Sequence, residues 1–454
     1  MLVDYLPHLM LLTLVCLLFS GFPVGSILAG VGVGFALIGV IIGEFPIPTL
    51  FLIPYKIYGT IGESLIYPAV PMLLFMGVAL EKSGAARELL LCLQRVFGRV
   101  PGSMCISVLL IGLLLAPTAG VIGASVATIT MAAMPTMLSQ NYRPEIASGA
   151  IAAAGTLGVI APPAIMLFFL SDALELTIAS MFLAPITPLL FLFVLFISYF
   201  VVMDIFRKRP EHEGTQNGNG HSLLVYFIRS FVLPVGLVVL VLGSIIAGWV
   251  SPTESAAVGA GGSALLIFLY RGFDLALLRD ALYRTAIITG MVFFVVLSAG
   301  IFSLVFRYFG GDDIAVGLFE TLGLGDFGVL VVVLTILFVL GFFIDWIEIT
   351  LVSLPILLPA IAALDFSDYV GSAYLTKLWI GALIALVLQT SFLTPPFGFA
   401  LFFLKGSAPP EVRMIDIYKG VVPLVIIQVV MIATVLLFPA IVTAIPIEVL
   451  DLLN

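Results

Sequence analysis

Charge is what this chain has least of: 10% of its residues are Asp, Glu, Lys or Arg, against roughly 25% in an ordinary soluble domain. Most of its surface must therefore face lipid or other apolar helices. Cysteine is scarce too. Cys16, Cys92 and Cys105 form no closely spaced pair, which argues against a disulfide framework and a zinc site. His8 lies near the N-terminus, and His212 and His221 fall in a polar stretch, so a histidine relay is not expected.

What the chain has instead is apolar length. The residues are 62% hydrophobic, and ten apolar runs, among them 5–21, 285–306 and 420–443, are long enough to span a bilayer core of ~30 Å. Each reads as a helix, because an open sheet would leave backbone groups unsatisfied in lipid. The first run carries Asp4 and shows no small-residue cleavage pattern before Gly21-Phe22-Pro23, so it reads as a retained helix rather than a signal peptide.

One pattern occurs twice. SVATITMAAMP at 125–135 and DWIEITLVSLP at 345–355 align without a gap at an offset of 220: Ser125 on Asp345, Thr128 on Glu348, Ile129-Thr130 on Ile349-Thr350, Pro135 on Pro355. Each copy is followed by a Pro-Pro interruption, APPAIMLFFL from Ala161 and TPPFGFALFFL from Thr394. Paired, Gly/Pro-interrupted segments in matching places of two halves point to a secondary transporter with a central site. The Pro-Pro offset is 233, so the second half holds about 13 more residues, placed in LDFSDYVGSAYLTK, where a loop insertion is tolerated.

Loop charge sets the expected topology. With the N-terminus outside and 103–138 and 327–364 as re-entrant hairpins, 15 of the 18 basic residues face the cytoplasm, and Lys56, Arg307 and Lys377 lie outside. Two full crossings at each place would keep the same count. The expected fold class is an all-α polytopic membrane protein of two inverted repeats, each with a re-entrant hairpin and a Pro-broken helix. The first repeat spans 1–203 (arm 81–99, hairpin 103–138, broken helix 145–170). A cytoplasmic linker at 204–222 follows, then a second repeat over 223–454 (arm 307–326, hairpin 327–364, broken helix 376–404). The first arm is mainly basic and the second mainly acidic, which places them on opposite faces.

Asp345 and Glu348 are the two acidic residues inside an apolar segment, and an intramembrane carboxylate is a functional candidate by default. Asp345 has the alternative role of a helix N-cap, and Glu348 that of an ion pair with Arg307. The first tip offers Gly120, Gly123, Ser125, Thr128 and Thr130 and no charge. Hydroxyls and carbonyls suit a hard cation, although small residues also serve close helix packing. The breaks GTLGVIAPP (155–163) and QTSFLTPPFG (389–398) remove amide donors and unwind the helix locally. Free carbonyls can then face a cation or an anionic substrate. No basic residue lies at hairpin depth.

Taken together, GFPVG (21–25), FMGVALEKSG (75–84), GASVAT (123–128), AAAGTLGVIAPP (152–163), SPTESAAVGA (251–260), GFFIDWIEI (341–349) and TSFLTPPFGFALFFLKG (390–406) resemble the large membrane subunit of tripartite ATP-independent periplasmic (TRAP) transporters. The resemblance implies a non-enzymatic, sodium-coupled importer of an organic acid in a bacterial inner membrane, with both termini periplasmic and an elevator mechanism. It implies a separate small four-helix membrane subunit and a periplasmic solute-binding protein as partners, sodium as coupling ion, and neither an organic cofactor nor a nucleic-acid partner. On that pattern one sodium lies between Ser125, with Thr128 beside it, and Gly155, Thr156 and Gly158. The other lies between Gly341 and Asp345 on one side and Thr390 and Thr394 on the other. Substrate lies between the hairpin tips, against Gly123, Ser125, Glu348 and the breaks at Pro162 and Pro395. Two other readings remain open: a stand-alone sodium- or proton-coupled carboxylate carrier, and a membrane-embedded hydrolase using Asp345 and Glu348.

Overall fold

The computed structural model describes residues 5–63, 66–98, 100–115, 122–205, 227–321 and 323–453. Among them there is no strand, and nine helices are long and apolar enough to cross a membrane. Gly120, the residues of the linker 204–222 beyond Ile205, and Arg99 of the first arm lie outside the described residues.

Local chemistry explains several of the motifs. In SPTESAAVGA, Ser251 Oγ accepts from the Glu254 amide while the Glu254 carboxylate accepts from the Ser251 amide, and Pro252 takes the first helical position of Pro252–Arg271. This is a capping box with proline where no amide is needed. In GFPVG, Gly21 sits at φ +81° and Pro23 precedes the helix Val24–Ile41. Gly25 and Gly32 of that helix then lie against Leu275–Tyr308: a Cβ on Gly25 would fall 2.6 Å from the Phe294 ring, and one on Gly32 3.1 Å from the Phe302 backbone. Small residues let these two helices approach closely.

The packing divides the molecule into two bodies. In the first, Val24–Ile41 and Ala69–Lys82 pack on Leu275–Tyr308, Pro252–Arg271 packs on Ala69–Lys82, and Leu233–Ile246 packs on Pro252–Arg271. The second holds both hairpins and both broken helices, with Ile186–Ile205, Met414–Leu437 and Ala440–Leu453 around them. Its centre is the most enclosed part of the chain. The first broken helix, Pro144–Ala173, is 100% buried over its apolar window and Ala373–Ser391 is 78% buried, whereas Leu275–Tyr308 is 33% buried. The two arms lie between the bodies, Ala85–Phe97 against the first hairpin and Gly311–Thr321 against the second.

Several boundaries differ from expectation. The first arm begins at Ala85, because Glu81 and Lys82 end the preceding helix Ala69–Lys82 and Gly84 turns the chain at φ +82°. Asp204 is not part of a solvated linker. It is buried in the last turn of Ile186–Ile205, and its Oδ2 accepts from the Gly102 amide at 2.8 Å, at the start of the first hairpin. The run expected at 285–306 is a 34-residue helix from Leu275 to Tyr308, capped by Asp274 accepting from Leu277 N. The inserted stretch at 364–377 is held by aromatic packing. Phe327, Phe366, Tyr369 and Trp379 form an edge-to-face cluster, and Tyr369 Oη donates to Leu437 O at 2.6 Å.

Candidate functional site

The first hairpin consists of Ser103–Leu115 and Ile122–Ser139, and the second of Asp326–Leu340 and the segment Trp346–Ala362. Each broken helix stops at its Pro-Pro step. The first is α-helical to Leu157, passes through a 3-10 turn at Gly158–Ile160, and resumes at Ile165–Ala173; the second stops at Ser391 and resumes at Phe399–Ser407. Proline cannot donate to the ladder, and its ring blocks the preceding turn, so the helix gives way there.

The halves of the broken helices are shared between the hairpins. The first half of each packs on the hairpin that precedes it: Pro144–Leu157 on Ile122–Ser139, and Ala373–Ser391 on Asp326–Leu340. The second half crosses to the other hairpin: Ile165–Ala173 meets the Ile349–Ser353 turn, and Phe399–Ser407 meets Ile122–Ser139. An aromatic side chain makes each crossing. Phe169 packs on Trp346 with ring centroids 6.1 Å apart, and Phe403 lies over Gly123, where a Cβ would fall 2.6 Å from its ring.

Around the first break, Gly155 lets the hairpin approach so closely that a Cβ there would fall 2.3 Å from Val126 Cγ2. Ser125, next to Val126, is buried, and its Oγ has no hydrogen-bond partner within the chain. Thr156 is fully buried and donates to the carbonyls of Ala152 and Ala153 at 3.1 and 3.3 Å, and Gly158 opens the 3-10 turn. Thr128 Oγ1 donates to Glu81 Oε1 at 3.0 Å. Pro162 is buried at the break itself. The structure therefore brings Val126, next to Ser125, against Gly155 and turns the Thr128 proton toward a carboxylate of the other body.

Around the second break, a Cβ on Gly341 would fall 1.9 Å from Ser391 Oγ, which places the hairpin tip against the end of Ala373–Ser391. Asp345 has extended backbone and accepts from the Trp346 amide through Oδ1 at 2.8 Å; its expected role as N-cap is realised here at one amide. Trp346–Glu348 is a single turn followed by a π-helical stretch, Ile349–Ser353, before α-helix resumes at Leu354. Thr390 and Thr394 donate to Leu386 O and Thr390 O at 2.7 and 2.8 Å, which leaves their oxygen lone pairs available to other groups. Pro395 is half-buried at the break. Glu348 does not pair with Arg307, which instead contacts Asp312 at 3.6 Å; Glu348 Oε2 is buried with no hydrogen-bond partner within the chain.

Three polar residues escaped the sequence reading. Gln389 is fully buried with neither side-chain polar atom bonded, and Thr350 Oγ1 is likewise unpartnered. The signal was present, since Gln389 is the first residue of the interrupted segment and Thr350 belongs to the repeated Ile-Thr pair. Glu81 reads from the sequence as the first residue of the arm 81–99. Buried polar side chains are nearly always hydrogen-bonded, and each exception calls for a reason such as a bound ion or water. Here Ser125, Glu348, Thr350 and Gln389 fall on the two hairpins and the second broken helix; Ser148 and Gln428 also lack partners on Pro144–Leu157 and Met414–Leu437.

Comparison with known proteins agrees with this architecture. The family described as "Tripartite ATP-independent periplasmic transporter, DctM component" matches residues 11–441. The ectoine TRAP transporter large permease protein TeaC of Halomonas elongata is 27% identical over 438 residues, covering 95% of this chain and 97% of TeaC. The C4-dicarboxylate TRAP transporter large permease protein DctM of Pseudomonas aeruginosa is 26% identical over 381 residues, covering 83% and 85%. The crystal structure of the Alcanivorax borkumensis YdaH transporter shares the fold, with a TM-score of 0.57 at 13% identity over 87% of this chain and 89% of that one.

Proposed function

Since the chain belongs to the DctM-component family of tripartite ATP-independent periplasmic transporters, we propose that it is the large membrane subunit of a sodium-coupled importer for a small organic acid or zwitterion. The relatives support the substrate class: one large permease is named for ectoine and another for C4-dicarboxylates. A periplasmic solute-binding protein delivers the substrate, and a small membrane subunit completes the complex. The assembly sits in a bacterial inner membrane with both termini of this chain on the periplasmic side, and the two repeats have inverted topology.

The observation that carries the cation reading is the buried Ser125 Oγ on the first hairpin, which has no hydrogen-bond partner within the chain. Sodium prefers oxygen donors, and the groups at the breaks are hydroxyls and main-chain carbonyls, joined at the second by the Asp345 carboxylate. Ser125, Thr128, Gly155, Thr156 and Gly158 form the first sodium site. Gly341, Asp345, Thr390 and Thr394 form the second. Substrate sits between the tips, against Gly123, Ser125, Glu348, Pro162 and Pro395. With no basic side chain in the hairpins, the ends of the half-helices and the bound sodium charge hold the anionic group. The hairpins and broken helices move as one body against the body built on Leu275–Tyr308, and the close fit of each broken helix to both hairpins supports their moving together.

Reconstituted uptake tests this reading. Proteoliposomes holding the chain and its small subunit are offered a panel of dicarboxylates, sugar acids and cyclic zwitterions, with sodium or choline outside and with or without candidate binding proteins. Uptake that needs both sodium and a binding protein is expected. Equal rates without any binding protein would make the protein a stand-alone carrier. Full sodium dependence surviving Asp345→Asn would overturn the cation assignment.

A further inference from the structure

The repeat alignment leaves the first hairpin without a carboxylate, since Thr128 stands where the second hairpin has Glu348. The fold supplies one from elsewhere. Glu81, in the last turn of Ala69–Lys82, accepts through Oε1 from Thr128 Oγ1 at 3.0 Å and from Arg284 Nη1 at 3.2 Å. Its side chain is 15% exposed and that of Arg284 36%. The neighbouring Lys82 pairs with Asp280, so the two ion pairs run side by side between Ala69–Lys82 and Leu275–Tyr308.

We propose that Glu81 is a positioning residue for the first hairpin. By taking the Thr128 proton, it fixes which way that hydroxyl presents its lone pairs. Ser125 and Thr128 lie three residues apart on a regular helix, and therefore on one face. Anchoring Thr128 holds Ser125 in register with the Gly155–Gly158 segment. Arg284 holds the carboxylate in place from the other side. The inference rests on the cation reading above and adds a group that lies in neither hairpin.

The segment just before this helix provides a control. Tyr67, two residues before Ala69, donates from Oη to Asp172 Oδ2 at 2.9 Å. This contact also joins the two bodies, but its partner Asp172 lies on Ile165–Ala173, outside the first hairpin. Removing it weakens the boundary between the bodies without altering the first site.

The test is sodium-dependent thermal stabilisation of the purified complex, titrating sodium chloride into choline chloride at constant ionic strength. A ligand that binds only the folded state stabilises it by RT ln(1 + [L]/Kd), so the sodium concentration at which the melting temperature begins to rise reports Kd. Glu81→Gln should raise the sodium Kd fitted to that rise about 10-fold, the lower end for a hydrogen bond to a charged group. Tyr67→Phe should keep the wild-type value. The decisive arm is the double variant: Glu81→Gln should add nothing in a Thr128→Val background, because it acts through that hydroxyl. Equal shifts from Glu81→Gln and Tyr67→Phe, or an undiminished effect in the Thr128→Val background, would reduce Glu81 to a packing contact. A wild-type protein that sodium does not stabilise would overturn the cation reading itself. Should Glu81→Gln fail to fold, Arg284→Gln reads the same anchor from its other side.

Discussion

In the first hairpin the return arm is regular α-helix from Ile122 to Ser139, carries no charge, and hands the proton of Thr128 to a carboxylate of the other body. In the second, the chain turns at 341–344, Asp345 caps a single turn, a π-helical stretch follows, and two carboxylates stand within four residues. The two copies thus treat corresponding positions differently. A carboxylate carried in the hairpin comes with irregular backbone, whose freed groups and turns help to hold it; π-bulges of this kind recur at functional sites. A carboxylate brought in from outside lets the helix stay regular and ties that hairpin to its surroundings. Duplicated elements can therefore keep one geometry at the breaks while the charge moves from inside the repeat to its neighbour.

The most forceful way to break the comparison is to neutralise the charged copy. Asp345→Asn should lower apparent sodium affinity on the order of 100-fold, as a contact worth ~2–3 kcal/mol to a charged group requires. The sodium dependence of uptake measures it. A smaller effect than Ser125→Ala would mean the two hairpins are ranked the wrong way round.

The geometry at the breaks should be alike in the two copies. Gly341→Ala and Gly155→Ala each drive a methyl into a contact of 1.9 or 2.3 Å, and each should cost ~1–3 kcal/mol through overpacking. Thermal unfolding of the purified protein reads this. If one substitution is silent, that hairpin does not lie against its broken helix.

Ser125→Ala and Gln389→Leu probe the unpartnered groups. Each removes buried polar atoms that have no hydrogen-bond partner within the chain, so stability should hold or rise by ~1 kcal/mol while sodium-dependent uptake falls. Loss of both stability and uptake would show that these groups serve packing instead. The smallest effect is expected far from both hairpins: Ser251→Ala removes a helix cap and should cost about 1 kcal/mol, with no change in sodium dependence.

Much of this architecture could be read from the sequence because its signals are local. A Pro-Pro step inside an apolar run, or Asp345 and Glu348 between FVLGFFI and TLVSLPILL, departs from its surroundings within a few residues. The ends of elements were harder to place. Leu275–Tyr308 begins ten residues before the expected run, because Arg279, Asp280 and Arg284 make its first turns look like a loop although Asp280 and Arg284 pair with Lys82 and Glu81. Glu81 was misplaced for the same reason, as its partners are 47 and 203 residues away and leave no periodic trace. Asp204 looked like linker because the residue it caps, Gly102, is 102 positions distant.

The central claim is that each hairpin, with the helix break beside it, forms one cation site. Equilibrium binding of radiolabelled sodium to the purified complex tests it without knowledge of the substrate. The account predicts two saturable components in the wild type, loss of one in Ser125→Ala, loss of the other in Asp345→Asn, and loss of both in the double variant. Two components persisting in Asp345→Asn, or no saturable binding in the wild type, would contradict it.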